Sequence, residues 1–366
     1  MKANKIISIF LSLVMICSAT FSFVSCDINV NEPYEDSTEN KTNSISDDTT
    51  EDTTTDIDEE TSEEVSEETS EKISEETSEK SDPDTTEETS DETTEESTTE
   101  KIPTASDPDD ENKSKGLRYS VNEDGVSCTI TGKGTCKDAD IYVPKYIDGY
   151  AVTAIGSLAF VYNAMNSITI PEGVTTIGFS AFKKCSNVVS INIPSSVTFI
   201  GDYAFSECTA LENIVLPNGI TSIGKEAFSN CTSLANIVIP NSVNSIGDSA
   251  FYCCVGLTSI VIPEKITIIG KNLFTSCVFL ESVTITNNVT CIGALAFYDC
   301  ASLESITIPG SVTKIDDGAF YACYKLKDIY FEGTVEAWNA IDLHSRWKDT
   351  DFTSTTIHCI DGDVTY

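Results

Sequence analysis

The chain has 366 residues, with 59 Asp and Glu against 22 Lys and Arg, and a net charge of −37. No basic segment offers lysines and arginines to a phosphate backbone, so nucleic-acid binding is not expected. The two histidines, His344 and His358, come without a nucleophile motif or a glycine-rich phosphate loop. The sequence therefore predicts no catalytic residues, no cofactor and no metal site.

Residues 1–26 have the pattern of a secretory signal, with a positively charged start and an apolar run at 6–16. That run is too short to span a bilayer, which takes roughly 20 residues. The sequence FVSC at 23–26 resembles a bacterial lipobox, in which the cysteine becomes the lipid-modified first residue of the mature protein. It predicts export and a lipid anchor on Cys26 at the outer face of the cell membrane. Plain signal cleavage is the alternative.

Residues 27–116 contain 34 acidic residues against 6 lysines, a net charge of −28, and most of the rest is Thr and Ser. Such a segment cannot bury enough apolar surface to offset its ordering entropy. We expect a disordered acidic stalk that its own charge repulsion extends. Calcium binding is the alternative, although the spaced pattern of a calcium loop is missing. The Thr and Ser side chains could also carry O-linked sugars.

A repeat of 23 residues occupies most of the remaining chain. Its Ala-Phe, Ile-Gly and Ile/Leu-Pro pairs recur in step, and a cysteine follows most of the phenylalanines by three residues. A repeat this regular predicts one short unit stacked many times rather than a compact enzyme domain. The repeated phenylalanines are Phe160, Phe182, Phe205, Phe228, Phe251, Phe274, Phe297 and Phe320.

One unit, residues 208–228, illustrates the expected structure. Residues 214–216 alternate inward and outward as a half-buried strand does, and Pro217 ends the strand. Gly224 is expected to allow a sharp turn through a positive φ. Ala227 leaves room for Phe228 to pack on the phenylalanine of the next unit. Stacking would then bury one continuous core.

This pattern resembles the BspA-type leucine-rich repeat, and the resemblance covers about residues 150–331. It implies a right-handed leucine-rich repeat solenoid with a parallel β-ladder, short turns and helical segments, and roles as surface antigens and adhesins. The repeats are placed at 151–331. The N-terminal cap at 117–150 has β-hairpin sequences at Asp124-Gly125 and Asp148-Gly149. The C-terminal cap is placed at 332–366.

The repeated cysteines are expected to be buried thiols that pack like small hydrophobic side chains. Disulfides along the stack and a metal site are the alternatives; short Cys-x-x-Cys spacing is missing. Cys128 and Cys136 flank a possible hairpin, and the sequence leaves open whether they form a disulfide. The repeated cysteines are Cys185, Cys208, Cys231, Cys254, Cys277, Cys300 and Cys323.

The outward positions are candidates for binding. Strand positions such as Thr169 and Val215 are small and uncharged, which favours strand pairing as much as recognition. The residue after Ile-Gly alternates as Asp202, Lys225, Asp248 and Lys271, so charges could pair between neighbouring units. Tyrosine is enriched in binding surfaces, and the candidate surface consists of Tyr252, Tyr298, Tyr321 and Tyr324.

The sequence therefore predicts a cell-surface binding or adhesion protein that presents its solenoid to a protein or glycan on host or bacterial surfaces. Its contact with the membrane would be through the lipid alone. One alternative is a glycan-capture accessory lipoprotein. Another is an enzyme with an unrecognised site, which would require polar groups converging on a pocket.

Overall fold

The computed structural model describes residues 113–348 and 355–365. The predicted signal with Cys26, and the stalk apart from its last four residues, lie outside the described residues. In the described part, no helix combines the length and apolar character needed to cross a membrane. The division into stalk, caps and repeats stays a prediction.

The described residues form a parallel β-solenoid of about nine turns with a spacing near 23 residues. Each turn, called a rung below, contributes a short strand to each of two parallel ladders. The chain begins with β1 (Arg118–Val121), β2 (Ser127–Gly132), β3 (Asp140–Tyr142), β4 (Tyr146–Ile147) and β5 (Tyr150–Ile155). The predicted solenoid with parallel ladders is confirmed.

The following strands mostly alternate between the two ladders. In the first half they are β6 (Ser167–Thr169), β7 (Thr176–Ile177), β8 (Ser190–Asn192), β9 (Phe199–Ile200), β10 (Asn213–Val215), β11 (Ser222–Ile223) and β12 (Ser245–Ile246). The second half comprises β13 (Ser259–Val261), β14 (Ile268–Ile269), β15 (Ser282–Thr284), β16 (Cys291–Ile292), β17 (Ser305–Ile308), β18 (Lys314–Ile315) and β19 (Asp328–Phe331). The chain then forms helix α1 (Val335–Asn339), β20 (Asp342–Leu343), β21 (Thr356–Cys359) and β22 (Gly362–Thr365).

The strand pairing keeps the 23-residue register. One ladder runs β3-β6-β8-β10 and continues as β13-β15 and as β17-β19-β21-β22. The other runs β1-β2-β5-β7-β9-β11-β12, with β4 on β5, and continues as β14-β16-β18-β20. In β10, Ile214 pairs with Ile191 of β8, so inward side chains stack on inward side chains.

A column of phenylalanine rings occupies the core, as the repeat predicts. Neighbouring rings are nearly parallel, with centroids 5.3 to 5.7 Å apart and interplanar angles of 3 to 17°. All eight are at most 1% exposed. Offset stacking of this kind contributes about 0.5–1.5 kcal/mol per pair beyond the buried area. The column therefore both fills the core and aligns the rungs.

The chain around each phenylalanine, called the phenylalanine turn below, alternates between right-handed and left-handed backbone. In the second rung, Ser180 and Lys184 have φ values of 50° and 62°. Their N–H groups and that of Phe182 donate to carbonyls of the next rung at 2.8 Å. The intervening Ala181 and Lys183 donate to carbonyls three residues back in their own rung. Both left-handed residues thus direct their N–H groups to the next rung, and Phe182 between them does so without a positive φ.

The expectation that the Ile-Gly glycines have positive φ is wrong. Positive φ occurs two residues before and two after the phenylalanine, not at Gly201 or Gly224. These glycines are needed because the rungs approach closely there. A Cβ on Gly201 would lie 2.7 Å from the carbonyl carbon of Gly178 in the preceding rung.

The predicted pairing of charges after Ile-Gly takes a different form in the structure. Asp202 Oδ1 accepts a hydrogen bond from the backbone N–H of Lys225 at 2.8 Å. Asp248 accepts from the N–H of Lys271 at 3.0 Å. The Lys225 ammonium instead lies 3.8 Å from the carboxylate of its neighbour Glu226. The aspartates therefore support rung register by hydrogen-bonding to the backbone.

The repeated cysteines, called the cysteine ladder below, are free and buried, and the prediction of buried thiols is confirmed. Each Sγ donates to the carbonyl of a phenylalanine in the preceding rung, at 3.0 to 3.3 Å. That carbonyl, for example Phe182 O, also accepts the N–H of Cys185. Cys128 and Cys136 are also free thiols in the described structure.

Both ends of the solenoid carry antiparallel strands. At the N-terminal end β1 pairs with β2, and β4 pairs with β5 through the turn Asp148-Gly149, in which both residues have positive φ. The two predicted hairpins are confirmed. At the C-terminal end Trp347 packs edge-on against Phe320, and its carbonyl accepts the Phe320 N–H. Trp347 therefore closes the phenylalanine column.

His358 connects three strands of the C-terminal cap. Its Nε2 lies 3.0 Å from Asp328 Oδ1 in β19, and its Nδ1 lies 3.0 Å from Asp363 Oδ1 in β22. The ring also stacks on Tyr330, with centroids 5.0 Å apart. The hydrogen bonds to Asp328 and then Asp363 raise the pKa of His358.

We expect Gly201→Ala to destabilise the chain by about 1–3 kcal/mol, because two backbone segments must separate to admit the new methyl group. The midpoint of urea unfolding, followed by circular dichroism, measures the effect. Gly219→Ala is the control, since its Cβ would lie 3.2 Å from Ser195 O at a turn between strands. A Gly201→Ala midpoint equal to that of the control would contradict the close-approach explanation.

The cysteine ladder should resist alkylation in the native chain, because burial raises the pKa of its thiols well above the ordinary value. The half-buried Cys291 and Cys359 should react with iodoacetamide first. Peptide mapping by mass spectrometry, with and without urea, identifies the modified positions. Ladder cysteines that react as fast as Cys291 in the native chain would refute the expectation.

The contribution of His358 should depend on pH. Because its folded-state pKa is raised, the protonated ring stabilises the cap below the unfolded pKa of about 6.5. This contribution is lost as pH rises through the folded pKa. The difference in thermal midpoint between the original chain and His358→Gln should therefore be larger near about pH 5.5 than near about pH 8.5. Asp328→Asn should lower the His358 pKa measured by NMR, and an unchanged pKa would contradict the assignment.

Candidate functional site

The exposed positions of the first ladder form a flat, uncharged surface along the middle rungs. The central residue of this surface is valine in three successive rungs, where Val215, Val238 and Val261 are 68%, 81% and 58% exposed. The rungs on either side carry Asn192 and Thr284 at this position. This arrangement places small β-branched side chains where they favour strand pairing, and it offers a partner few polar anchors.

The phenylalanine turns present more varied side chains. The residue directly after the phenylalanine is buried in some rungs, as at Ser206, Ser229 and Thr275, and in the last two repeats it is Tyr298 and Tyr321. Their rings stack with centroids 5.8 Å apart and an interplanar angle of 4°. Tyr321 and the nearby Tyr324 are 40% and 51% exposed. These three tyrosines are called the tyrosine patch below.

The structure brings together three of the four predicted tyrosines. Burial raises the pKa of Tyr298, and electrostatic interaction with Asp299, Tyr324 and Tyr321 raises it further. Tyr252 lies two rungs earlier, with Thr275 at the equivalent position between them. The Thr275 hydroxyl donates to Leu295 O at 2.6 Å, so it is directed toward the backbone. Tyr252 is therefore separated from the patch.

Asp299 lies beside the tyrosine patch, and it was not among the candidate site residues predicted from the sequence. It occupies a left-handed position with φ of 58°, and its N–H donates to Tyr321 O at 2.9 Å. The Ser276 hydroxyl donates to its carboxylate at 3.2 Å. Burial raises the pKa of Asp299, and this hydrogen bond opposes the shift. A carboxylate desolvated beside aromatic rings is a feature of functional sites.

A second aromatic surface at the N-terminal end was also missed. Tyr162 and Phe179 are 69% and 47% exposed, and Phe179 packs edge-on against Tyr203 at 5.5 Å. The Lys184 ammonium lies 4.9 Å from the centroid of the Tyr162 ring and 3.2 Å from Glu207 Oε2. Each of these two tyrosines has a lysine of the neighbouring rung over its ring, Lys184 for Tyr162 and Lys183 for Tyr203.

The described residues contain no group of three or more His, Cys, Asp and Glu arranged to hold a metal ion. Of the two histidines, His358 lies in the cap between two aspartates. His344 lies 3.0 Å from Asp317, whose other oxygen pairs with Arg346 at 3.0 Å. Both histidines are positioned by strands of the C-terminal cap.

A family model described as the BspA-type leucine-rich repeat region, present in six copies, matches residues 153–279 and 244–341. The chain belongs to the BspA-type leucine-rich repeat family. The two matched stretches overlap and together extend over more than half of the chain. Membership of this family supports a repeat-based interaction role for the BspA-type solenoid.

Among curated proteins no relative matches. Solved structures that are similar to this chain include the following three. One is a leucine-rich repeat protein of T. pallidum, with 30% identity over 52% of this chain and 88% of that chain, at a TM-score of 0.49. Another is a leucine-rich cell surface protein from Faecalibacterium prausnitzii, with 25% identity, 63% and 97% coverage and a TM-score of 0.37. The third is the pneumococcal vaccine antigen PcpA, with 16% identity, 67% and 83% coverage and a TM-score of 0.31.

Proposed function

We propose that the chain is a cell-surface adhesion protein and that the tyrosine patch contacts a protein partner. The observation that carries this proposal is the stacked pair of Tyr298 and Tyr321 beside the exposed Tyr324. Tyrosine offers a large contact area with few rotatable bonds, and it is enriched among residues that dominate binding energy. The regular strand surfaces of the same solenoid offer no comparable anchor.

The sequence of the N-terminal region supports the cellular location in this proposal. A lipid on Cys26 would hold the chain at the outer face of the cell membrane. Several acyl chains bind firmly, because each buried methylene contributes about 0.8 kcal/mol. The acidic segment 27–116 would act as a stalk of roughly 50 Å if it is a flexible coil, and longer with charge repulsion. The solenoid would then project away from the membrane.

A glycan-capture role is the second candidate, and the uncharged surface of the first ladder favours it. Its serine, threonine and asparagine side chains repeat at the spacing of the rungs, which suits a polymer with a short repeat. A glycan array distinguishes this function from protein binding. The expectation that the chain is not an enzyme stays a prediction.

The tyrosine patch can be tested by comparing two double variants. Replacing Tyr298 and Tyr321 by Ala should weaken binding by about tenfold or more, because aromatic anchors at an interface contribute about 2 kcal/mol or more. Binding of the immobilised chain to host matrix proteins, mucin and bacterial surfaces is measured by surface plasmon resonance. Thermal unfolding shows whether each variant remains folded.

The matched control replaces Tyr162 and Tyr203, which lie in the other aromatic surface, by Ala. This control removes the same number of tyrosine rings at the opposite end of the solenoid. The control should bind like the original chain. If the Tyr298 and Tyr321 variant is folded and binds with unchanged affinity, the tyrosine patch is not the contact.

A further inference from the structure

Among the described half-buried acidic residues near the phenylalanine turns, one lacks a charge partner. Asp316 pairs with Lys314 at 2.8 Å, and Asp317 pairs with Arg346 at 3.0 Å. Among the residues that the structure describes, no lysine, arginine or histidine forms an ion pair with Asp299. Its carboxylate is half-buried and accepts from the Ser276 hydroxyl. A partly desolvated carboxylate without a countercharge is costly unless a ligand supplies one.

The 23-residue register explains why Asp299 has no countercharge. The residue two positions after the phenylalanine contacts its equivalents in the neighbouring rungs. In the second and third rungs these equivalents are Lys184 and Glu207, which form an ion pair at 3.2 Å. Beside Asp299 they are Ser276 and Ala322, and neither carries a charge.

The N-terminal end of the solenoid shows the complete arrangement within the chain. There the Lys184 ammonium lies between the Glu207 carboxylate and the Tyr162 ring, at 3.2 Å and 4.9 Å. A cation in this position gains from the carboxylate charge and from the ring quadrupole. At the C-terminal end Asp299 lies in the same row of the repeat as Glu207, and Tyr298 and Tyr321 lie in the adjacent row, directly after their phenylalanines.

From this comparison we propose that Asp299 and the tyrosine patch bind an arginine or lysine side chain of the protein partner. The inference rests on the proposed function, since it names the chemistry that the tyrosine patch would recognise. The partner side chain would occupy the place that Lys184 has at the other end. Its cation would pair with Asp299 and lie against the tyrosine rings.

Ionisation of Asp299 supports the proposal. Burial raises the pKa of its carboxyl, so the carboxylate gains from a neighbouring cation. The titratable groups that interact with it are the Tyr298 phenol and the thiols of Cys300 and Cys323; burial raises the pKa of all three, so they are neutral near pH 7. Binding should therefore weaken as pH falls through the raised pKa of Asp299.

The experiment uses the full chain with ¹³C-labelled tyrosine rings. The probes are three blocked tripeptides, Gly-Arg-Gly, Gly-Lys-Gly and Gly-citrulline-Gly, added at physiological ionic strength so that attraction to the acidic segment is screened. Citrulline has the shape of arginine without its charge. NMR signals of Tyr298, Tyr321 and Tyr324, assigned from single Tyr→Phe variants, report binding at the patch alone.

The arginine or lysine peptide should shift the patch signals and bind about tenfold more tightly than the citrulline peptide. Asp299→Asn should remove this preference, whereas the matched control Glu212→Gln, an exposed acid far from the patch, should keep it. Ser276→Lys places a lysine as Lys184 is placed beside Glu207. This variant should keep its stability and lose peptide binding, because the internal ammonium occupies the site.

Equal binding of the charged and citrulline peptides would overturn the inference, as would binding that Asp299→Asn and Ser276→Lys leave unchanged. Neither result would affect the proposed function, which depends on the Tyr298 and Tyr321 double variant. If that double variant binds the partner normally while Asp299→Asn does not, the carboxylate is the contact and the tyrosine proposal fails.

Discussion

Alternate N–H groups of each phenylalanine turn donate to the following rung, and those between them donate within their own rung. The hydrogen bonds to the following rung fix the distance between rungs at the phenylalanine turns. The stacked rings, the thiol hydrogen bonds and the close approach of Gly201 to Gly178 all depend on that distance. Side chains fill the space between rungs, but the backbone sets its size.

The regular positions of the sequence were sufficient to predict the core. A phenylalanine every 23 residues must meet its equivalents once the rungs stack, and a cysteine three residues later lies on the same inner side. The pairing of β10 with β8 in this register follows from the repeat alone. Buried positions can be predicted because each rung imposes the same packing requirement on them.

The backbone conformation could not be predicted from residue type. Glycine is usual where φ is positive, but the left-handed positions here hold residues such as Leu158, Lys184 and Glu226, and the Ile-Gly glycines serve close approach instead. The left-handed residues on both sides of each phenylalanine before Phe320 must direct their N–H groups to the next rung. This requirement arises from the contact between rungs, so the residue types of a single repeat do not reveal it.

The candidate site was predictable in part. Tyr252, Tyr298 and Tyr321 share one position of the repeat, so comparing that position along the chain identifies them. Asp299 stands out only when each residue is compared with those 23 positions before and after it, because its missing countercharge is a property of neighbouring rungs. The residues of the N-terminal aromatic surface lie at several different positions of the repeat. Comparing equivalent positions along the chain therefore does not identify this surface.

The hydrogen bonds of the phenylalanine turns also give every rung a direction. One side offers N–H donors and the other offers carbonyl acceptors, so rungs join head to tail and any internal rung fits against any other. Duplicating a 23-residue segment within the stack would leave both caps and both aromatic surfaces intact. Gene-level gain or loss of whole repeats could therefore change the reach of the protein without altering how its ends recognise other molecules.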